Sequence, residues 1–148
     1  MKINLFKSNA VGFLCVVALV AGLASGCGKK ADAGVEKAAT STAQTWLAAI
    51  DHGDYAQSRQ NAAAFFRNAV TGEQWKTSME KFRKPLGDLV SRKLTSANAT
   101  AELPGAPAGQ YVVMQFETSF ANKKSAIETV TFMQEKDGQW KSAGYFIK

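Results

Sequence analysis

The chain has 148 residues, a net charge of +6 and 46% apolar residues, which suits one globular domain built on a single core. Its basic residues are scattered, as at Arg59, Arg67, Lys76, Arg92-Lys93 and Lys123-Lys124, with no arginine-rich stripe interleaved with aromatics. That pattern argues against a nucleic-acid partner. His52 is the only histidine and Cys15 and Cys27 the only cysteines, so a multi-histidine metal site and a thiolate zinc site are excluded, and no cofactor motif is present.

The amino terminus carries Lys2 and Lys7 and no acidic residue before Asp32. An apolar run from Ala10 to Leu23 follows, shorter than the roughly 20 residues a membrane-spanning helix needs. Positive start, short apolar middle and small residues at the end are the pattern of an export signal. The closing stretch, Leu23-Ala24-Ser25-Gly26-Cys27, resembles the lipobox of bacterial lipoproteins, with Ala24 where leucine is more usual. The resemblance implies removal of residues 1–26, lipidation of Cys27 and a membrane anchor made of several acyl chains. One chain alone would bind only marginally. Residues 27–34, with Lys29 and Lys30, are expected to form a lipidated tether, and 35–148 a single domain. Gly28 rather than aspartate after the cysteine implies the periplasmic face of the outer membrane.

Helical periodicity opens the domain. Val35, Ala39, Ala43, Trp46 and Ile50 recur every three or four residues, with Ala38 and Leu47 widening the stripe, and Gly53 supplies a left-handed stop. Asp54 with Gln57 predicts a capping box for a second helix running into Ala62-Ala63-Ala64-Phe65-Phe66. Thr71 with Gln74 repeats the pattern for a third helix carrying Trp75, Met79 and Phe82, limited by Lys84-Pro85. From Leu89 the period becomes two. Strands are expected over Leu89–Ala101, Gln110–Phe120, Ser125–Glu135 and Gln139–Ile147, with a proline-rich loop from Leu103 to Gly109. Asp137-Gly138 suits a type I′ turn. The fold class is therefore α+β: about three N-terminal helices packed on a curved four-stranded antiparallel sheet.

Taking Asn122-Lys123 as the first tight turn sets Phe120 opposite Ser125 and Glu117 opposite Glu128. One sheet face then carries Met114, Phe116, Ile127 and Phe146, and the other Val113, Val130, Phe132 and Tyr145 together with Glu117 and Glu128. That second face is too apolar to stand bare in water. It is expected to meet a protein partner or a second copy, or to shelter a cavity for a small apolar ligand.

Several segments resemble one family of bacterial exported proteins, the domain of unknown function 4019. They are Ala48-Ala49-Ile50-Asp51 with Gly53-Asp54-Tyr55, Trp75, Pro85-Leu86-Gly87, Ser91-Arg92-Lys93, Leu103 to Pro107, Thr118 to Lys124 and Trp140 to Tyr145. The resemblance brings no activity with it. The element order also resembles the nuclear-transport-factor-2-like superfamily, whose members include enzymes using carboxylates in a cone-shaped pocket.

No Ser-His-Asp set or phosphate loop is visible. Glu117 and Glu128 are the carboxylate candidates, because like charges opposite one another on a sheet shift a pKa. His52 at a helix end reads as solvated, Asp51 and Asp54 as too few oxygens for calcium, and Asn122-Lys123-Lys124 as a solvated turn. The expectation is a non-enzymatic, membrane-anchored envelope module that binds through a sheet face or cavity. The alternatives are an isomerase- or hydrolase-like pocket enzyme and a structural envelope protein.

Overall fold

A computed structural model describes residues 33–148; Cys27, the export signal and most of the tether lie outside the described residues. Helix α1 (Ala33–Asp51) buries Ala39, Ala43, Trp46, Leu47 and Ile50, the stripe its sequence predicts, although Ala38 is exposed. Gly53 ends it at φ 79°, with its N–H on the Ile50 carbonyl and that of Asp54 on the Ala49 carbonyl. This is the Schellman arrangement, which uses orphaned carbonyls of the last turn.

The second expected helix is two short ones, α2 (Tyr55–Gln60) and α3 (Ala64–Ala69). Between them the chain extends, and Ala62 bridges Ser142 while the Ala63 N–H donates to the Ser142 carbonyl at 2.8 Å. Pairing with a sheet edge outweighs the helical preference of an alanine run. Asp54 heads α2 without a side-chain capping bond, so that expected box is absent. The box at Thr71 and Gln74 does form, with both reciprocal bonds, at the start of α4 (Gly72–Phe82). A 3-10 turn, η1 (Lys84–Leu86), follows. Among the described residues no helix is long and apolar enough to cross a membrane.

Strands β1 (Leu89–Thr100), β2 (Tyr111–Phe120), β3 (Lys123–Gln134) and β4 (Trp140–Ile147) form one open antiparallel sheet in sequence order, within two residues of the expected bounds. The helices pack on one face. Trp46 lies at the centre of the core, 5.6 Å from Tyr145 and 6.1 Å from both Phe132 and Trp75 by ring centroids. Ser58, fully buried, joins two of these rings: its carbonyl accepts the Trp46 indole N–H at 2.7 Å and its hydroxyl that of Trp75 at 3.0 Å.

The register differs from expectation by one residue. Phe120 pairs with Lys123, so Ala121 and Asn122 make the turn, and a bulge then sets Thr118 opposite Ala126 and Glu117 opposite Ile127. The cause is remote in sequence. The Ala121 N–H donates to the Asp88 carbonyl, the Asn122 N–H to that of Leu86, and the Asn122 carboxamide to that of Pro85. Gly87 sits under this turn at φ 79° and ψ −162°, where a Cβ would lie 3.0 Å from the Asn122 side chain and 3.1 Å from Ala121. Only glycine suits both the conformation and the space.

A one-residue slip turns a strand over. Val130 and Phe132 of β3, and with them Tyr145 and Ile147 of β4, therefore point inward and are buried. The outer face holds Val113, Gln115, Glu117, Ile127, Thr129 and Phe146, a mixed surface in place of the apolar one expected. Near the last hairpin the Glu135 carbonyl accepts the Gly138 N–H at 2.9 Å, so Lys136 and Asp137 are the central residues and Gly138, at φ 81°, follows them. That is the longer hairpin with a left-handed glycine after the turn, in place of a two-residue type I′.

Candidate functional site

The slip separates the two carboxylate candidates. Glu117 lies exposed on the outer face, opposite Ile127; Glu128 points inward and is fully buried. A buried carboxylate needs compensation from every side. Arg92 on β1 donates Nε–H to Oε2 at 2.5 Å and Nη2–H to Oε1 at 3.2 Å. The Thr118 hydroxyl donates to Oε2 at 2.6 Å, and the Tyr145 hydroxyl to Oε1. Four donors therefore share two oxygens.

Arg92 extends the cluster to α1. Its Nη1 and Nη2 reach the two carboxylate oxygens of Asp51 at 2.7 and 2.9 Å, a bidentate pair. Arg83, just after α4, donates Nη2–H to Asp51 at 2.9 Å and Nη1–H to the Gly87 carbonyl at 2.7 Å, with its guanidinium 4.2 Å from the Phe120 ring centre. Two acids and two arginines balance in charge. Burial works against the Arg92 charge, but the hydrogen bonds and charges of Asp51 and Glu128 outweigh it and hold its pKa above the usual arginine value. Burial also drives the Tyr145 phenol well above 10, and the neighbouring Glu128 charge and its hydrogen bond add to the effect. Tyr145 thus stays protonated and donates a hydrogen bond to the carboxylate.

This arrangement is a strut between α1, α4 and the sheet. Glu128 has no direction left from which to meet a substrate. Asp51 is committed to arginines, so the Asp51–Asp54 cation site has no basis, and among the described residues no group of three metal-binding side chains occurs. Asn122, read as solvated, is tied to Pro85. Sequence reasoning missed Arg83, Arg92 and Tyr145, and left Asp51 and Thr118 unassigned to any cluster. A signal existed for two of them: Asp51 follows Leu47 by four positions on the apolar stripe, and Thr118 stands between inward-facing Phe116 and Phe120.

Beside the strut, the α1–α2 turn and the α4–η1 segment enclose an open groove of about 980 Å³. Its walls include His52, Asp54, Tyr55, Lys76, Lys84 and Asp88. Burial is the main cause raising the Tyr55 pKa. Lys76 meets Glu80 at 3.9 Å, with 67% and 47% of those side chains exposed, a contact of about 0–1 kcal/mol. Glu128 does not line this groove.

Helices followed by an antiparallel meander, braced by a buried cluster of two acids and two arginines, define an α+β domain. The chain belongs to the family described as Protein of unknown function (DUF4019), which matches residues 42–145. That span contains every member of the cluster, and the resembling segments converge on it: Asp51, Pro85-Leu86-Gly87, Arg92, Thr118, Asn122 and Tyr145. No curated protein matches the chain.

Proposed function

We propose that the chain is a membrane-anchored envelope lipoprotein whose folded part is a binding module and not an enzyme. Support for the anchor lies in the sequence around Cys27. The binding reading rests chiefly on the saturation of Glu128: the one carboxylate deep in the fold is fully bonded to Arg92, Thr118 and Tyr145. The concavities carry some side chains that make no hydrogen bond with the protein, among them Gln57 and Gln60, which line both, and Asn61 and Gln139. In this reading the architecture is of the nuclear-transport-factor-2-like kind with a curved sheet, its central space filled by Trp46, Phe132 and Tyr145.

Geometry gives the anchor a further meaning. Five residues lie between Cys27 and Ala33, and the six Cα–Cα steps span at most about 22 Å of chain. Helix α1, 19 residues long, then carries the chain about 28 Å to the groove. A lipid at Cys27 would hold the start of α1 close to the bilayer and the groove at the far end of the helix, toward partners in the aqueous compartment. Fractionation of cells expressing the wild type and Cys27→Ser tests the anchor. Wild type should sediment with membranes and carry acyl mass, and the variant should lose the acyl mass and its detergent-dependent release. Equal membrane partition with no acyl mass on either protein would sink the proposal.

A further inference from the structure

A second concavity, of about 380 Å³, lies between α1, α2 and the β3–β4 hairpin, within the size range of small-ligand pockets. Its rim is made of Thr42 and Thr45 from α1, Gln57, Gln60 and Asn61 from the α2 segment, and Gln139 from the hairpin. Trp46, Phe132 and Trp140 provide its aromatic surface. No acid lines it, and its one lining cation, Lys141, stands 4.0 Å from Asp137. This composition differs from that of the larger groove, where acids and bases alternate.

The Thr42 and Thr45 hydroxyls donate to the Ala38 and Ser41 carbonyls of their own helix and keep only acceptor capacity, whereas the carboxamides are uncommitted. Among the described residues, no side-chain hydrogen bond engages the carboxamides of Gln57, Gln60, Asn61 or Gln139. The three tryptophans make the same point. Trp46 and Trp75 both commit their indole N–H to Ser58, whereas that of Trp140 has no protein partner, although the residue is only 8% exposed. It is not among the enclosed unsatisfied atoms, so it remains open to an occupant.

We propose that this cleft binds a neutral polyhydroxylated ligand, a short saccharide. A hydroxyl both donates and accepts, and so does a carboxamide, so a ring of amides and threonines matches a sugar's edge without any charge. The C–H face of the sugar meets the indole and phenyl surfaces, which are apolar in body and carry one donor at Trp140. An apolar ligand would leave the amides unmatched, a cation would find no acid on the lining, and an anion would meet only Lys141, whose charge Asp137 partly offsets at 4.0 Å. The inference rests on the binding-module reading but not on the anchor, and a failure of Cys27 lipidation leaves it untouched.

The test uses the full chain in a non-glycosidic detergent, titrated with chitotriose and maltotriose to about 10 mM, tenfold above a millimolar Kd. Trialanine serves as the peptide control. Side-chain amide resonances of Asn61 and Gln139 and the Trp140 indole resonance should shift with saturation for at least one sugar. The pair Asn61→Ala and Gln139→Ala, both at exposed positions, should weaken that binding about tenfold, as two lost hydrogen bonds predict, with backbone spectra unchanged. Shifts with trialanine alone, sugar shifts confined to the larger groove, sugar binding undiminished in the double variant, or no shift with either sugar would each overturn the proposal.

Discussion

The cluster around Glu128 and the cleft around Trp140 are both polar places beside the aromatic core, one enclosed and one at the surface, and they are in opposite states. In the cluster, Glu128 and Asp51 together receive seven side-chain hydrogen bonds from Arg83, Arg92, Thr118 and Tyr145. In the cleft, four carboxamide side chains and an indole N–H make none with the protein. The difference follows from access to water. A carboxylate under the helices cannot be hydrated, so folding must supply its partners, and those partners then exclude a substrate. Groups on a cleft wall keep water as a partner and can exchange it for a ligand. A buried charge whose partners the fold supplies is therefore weak ground for assigning a reaction to this fold.

The largest expected effect comes from removing the centre of the saturated region. Arg92→Met keeps much of the side-chain volume but leaves Glu128, which water does not reach, with two donors, and Asp51, at the edge of the open groove, with one. Breaking a buried pair in this way costs about 3–5 kcal/mol. The urea midpoint should fall accordingly at an unchanged slope. A loss below about 1 kcal/mol, the range of surface pairs, would mean that the cluster is hydrated and not a strut.

Tyr145→Phe is the next step down and separates charge from hydrogen bonding. Near neutral pH it removes one donor to a buried carboxylate, at about 1–3 kcal/mol. Its pH dependence has a definite sign. Burial, followed by the charge and hydrogen bond of Glu128, raises the folded pKa well above 10. The unfolded phenol titrates near its reference value of about 10. The stabilisation is therefore complete below about pH 10 and is lost as the pH rises toward the folded pKa. Urea midpoints between pH 8 and 11 should decline for the wild type and decline less for Tyr145→Phe. Tyr55, also raised by burial, supplies part of the remaining slope. Parallel declines would show that Tyr145 is not buried against Glu128.

The sequence made some of this readable and hid the rest for a physical reason. The Thr71–Gln74 box, the Gly53 stop and the four strand spans depend on neighbours in the chain, and they appear where the sequence places them. The β2–β3 register does not depend on neighbours. It is decided by carbonyls of Pro85, Leu86 and Asp88, more than thirty residues away, and an error of one residue there turned over β3 and β4 together. Arg92 read as a surface charge because β1 is a largely exposed edge strand with little alternation to mark its inner face. The cleft was equally hidden, since its walls come from three segments that only the folded chain brings together. Local chemistry was legible; convergence was not.

The smallest effect is the most direct test of that register. In the pairing expected from the sequence Glu117 and Glu128 are equivalent partners, and neutralising either should relieve the same repulsion. In the observed pairing they share nothing: Glu117 is exposed opposite Ile127, and Glu128 is buried opposite Phe116. Glu117→Gln should then change stability by no more than about 0.5 kcal/mol, as exposed substitutions do. Glu128→Gln removes the charge that Arg92 faces and puts an amide where four donors converge, which should cost about 3 kcal/mol. Urea unfolding of the two isosteric variants distinguishes the pairings without another structure. Equal effects, or a gain in stability at Glu128, would return the two residues to one face and dissolve the strut.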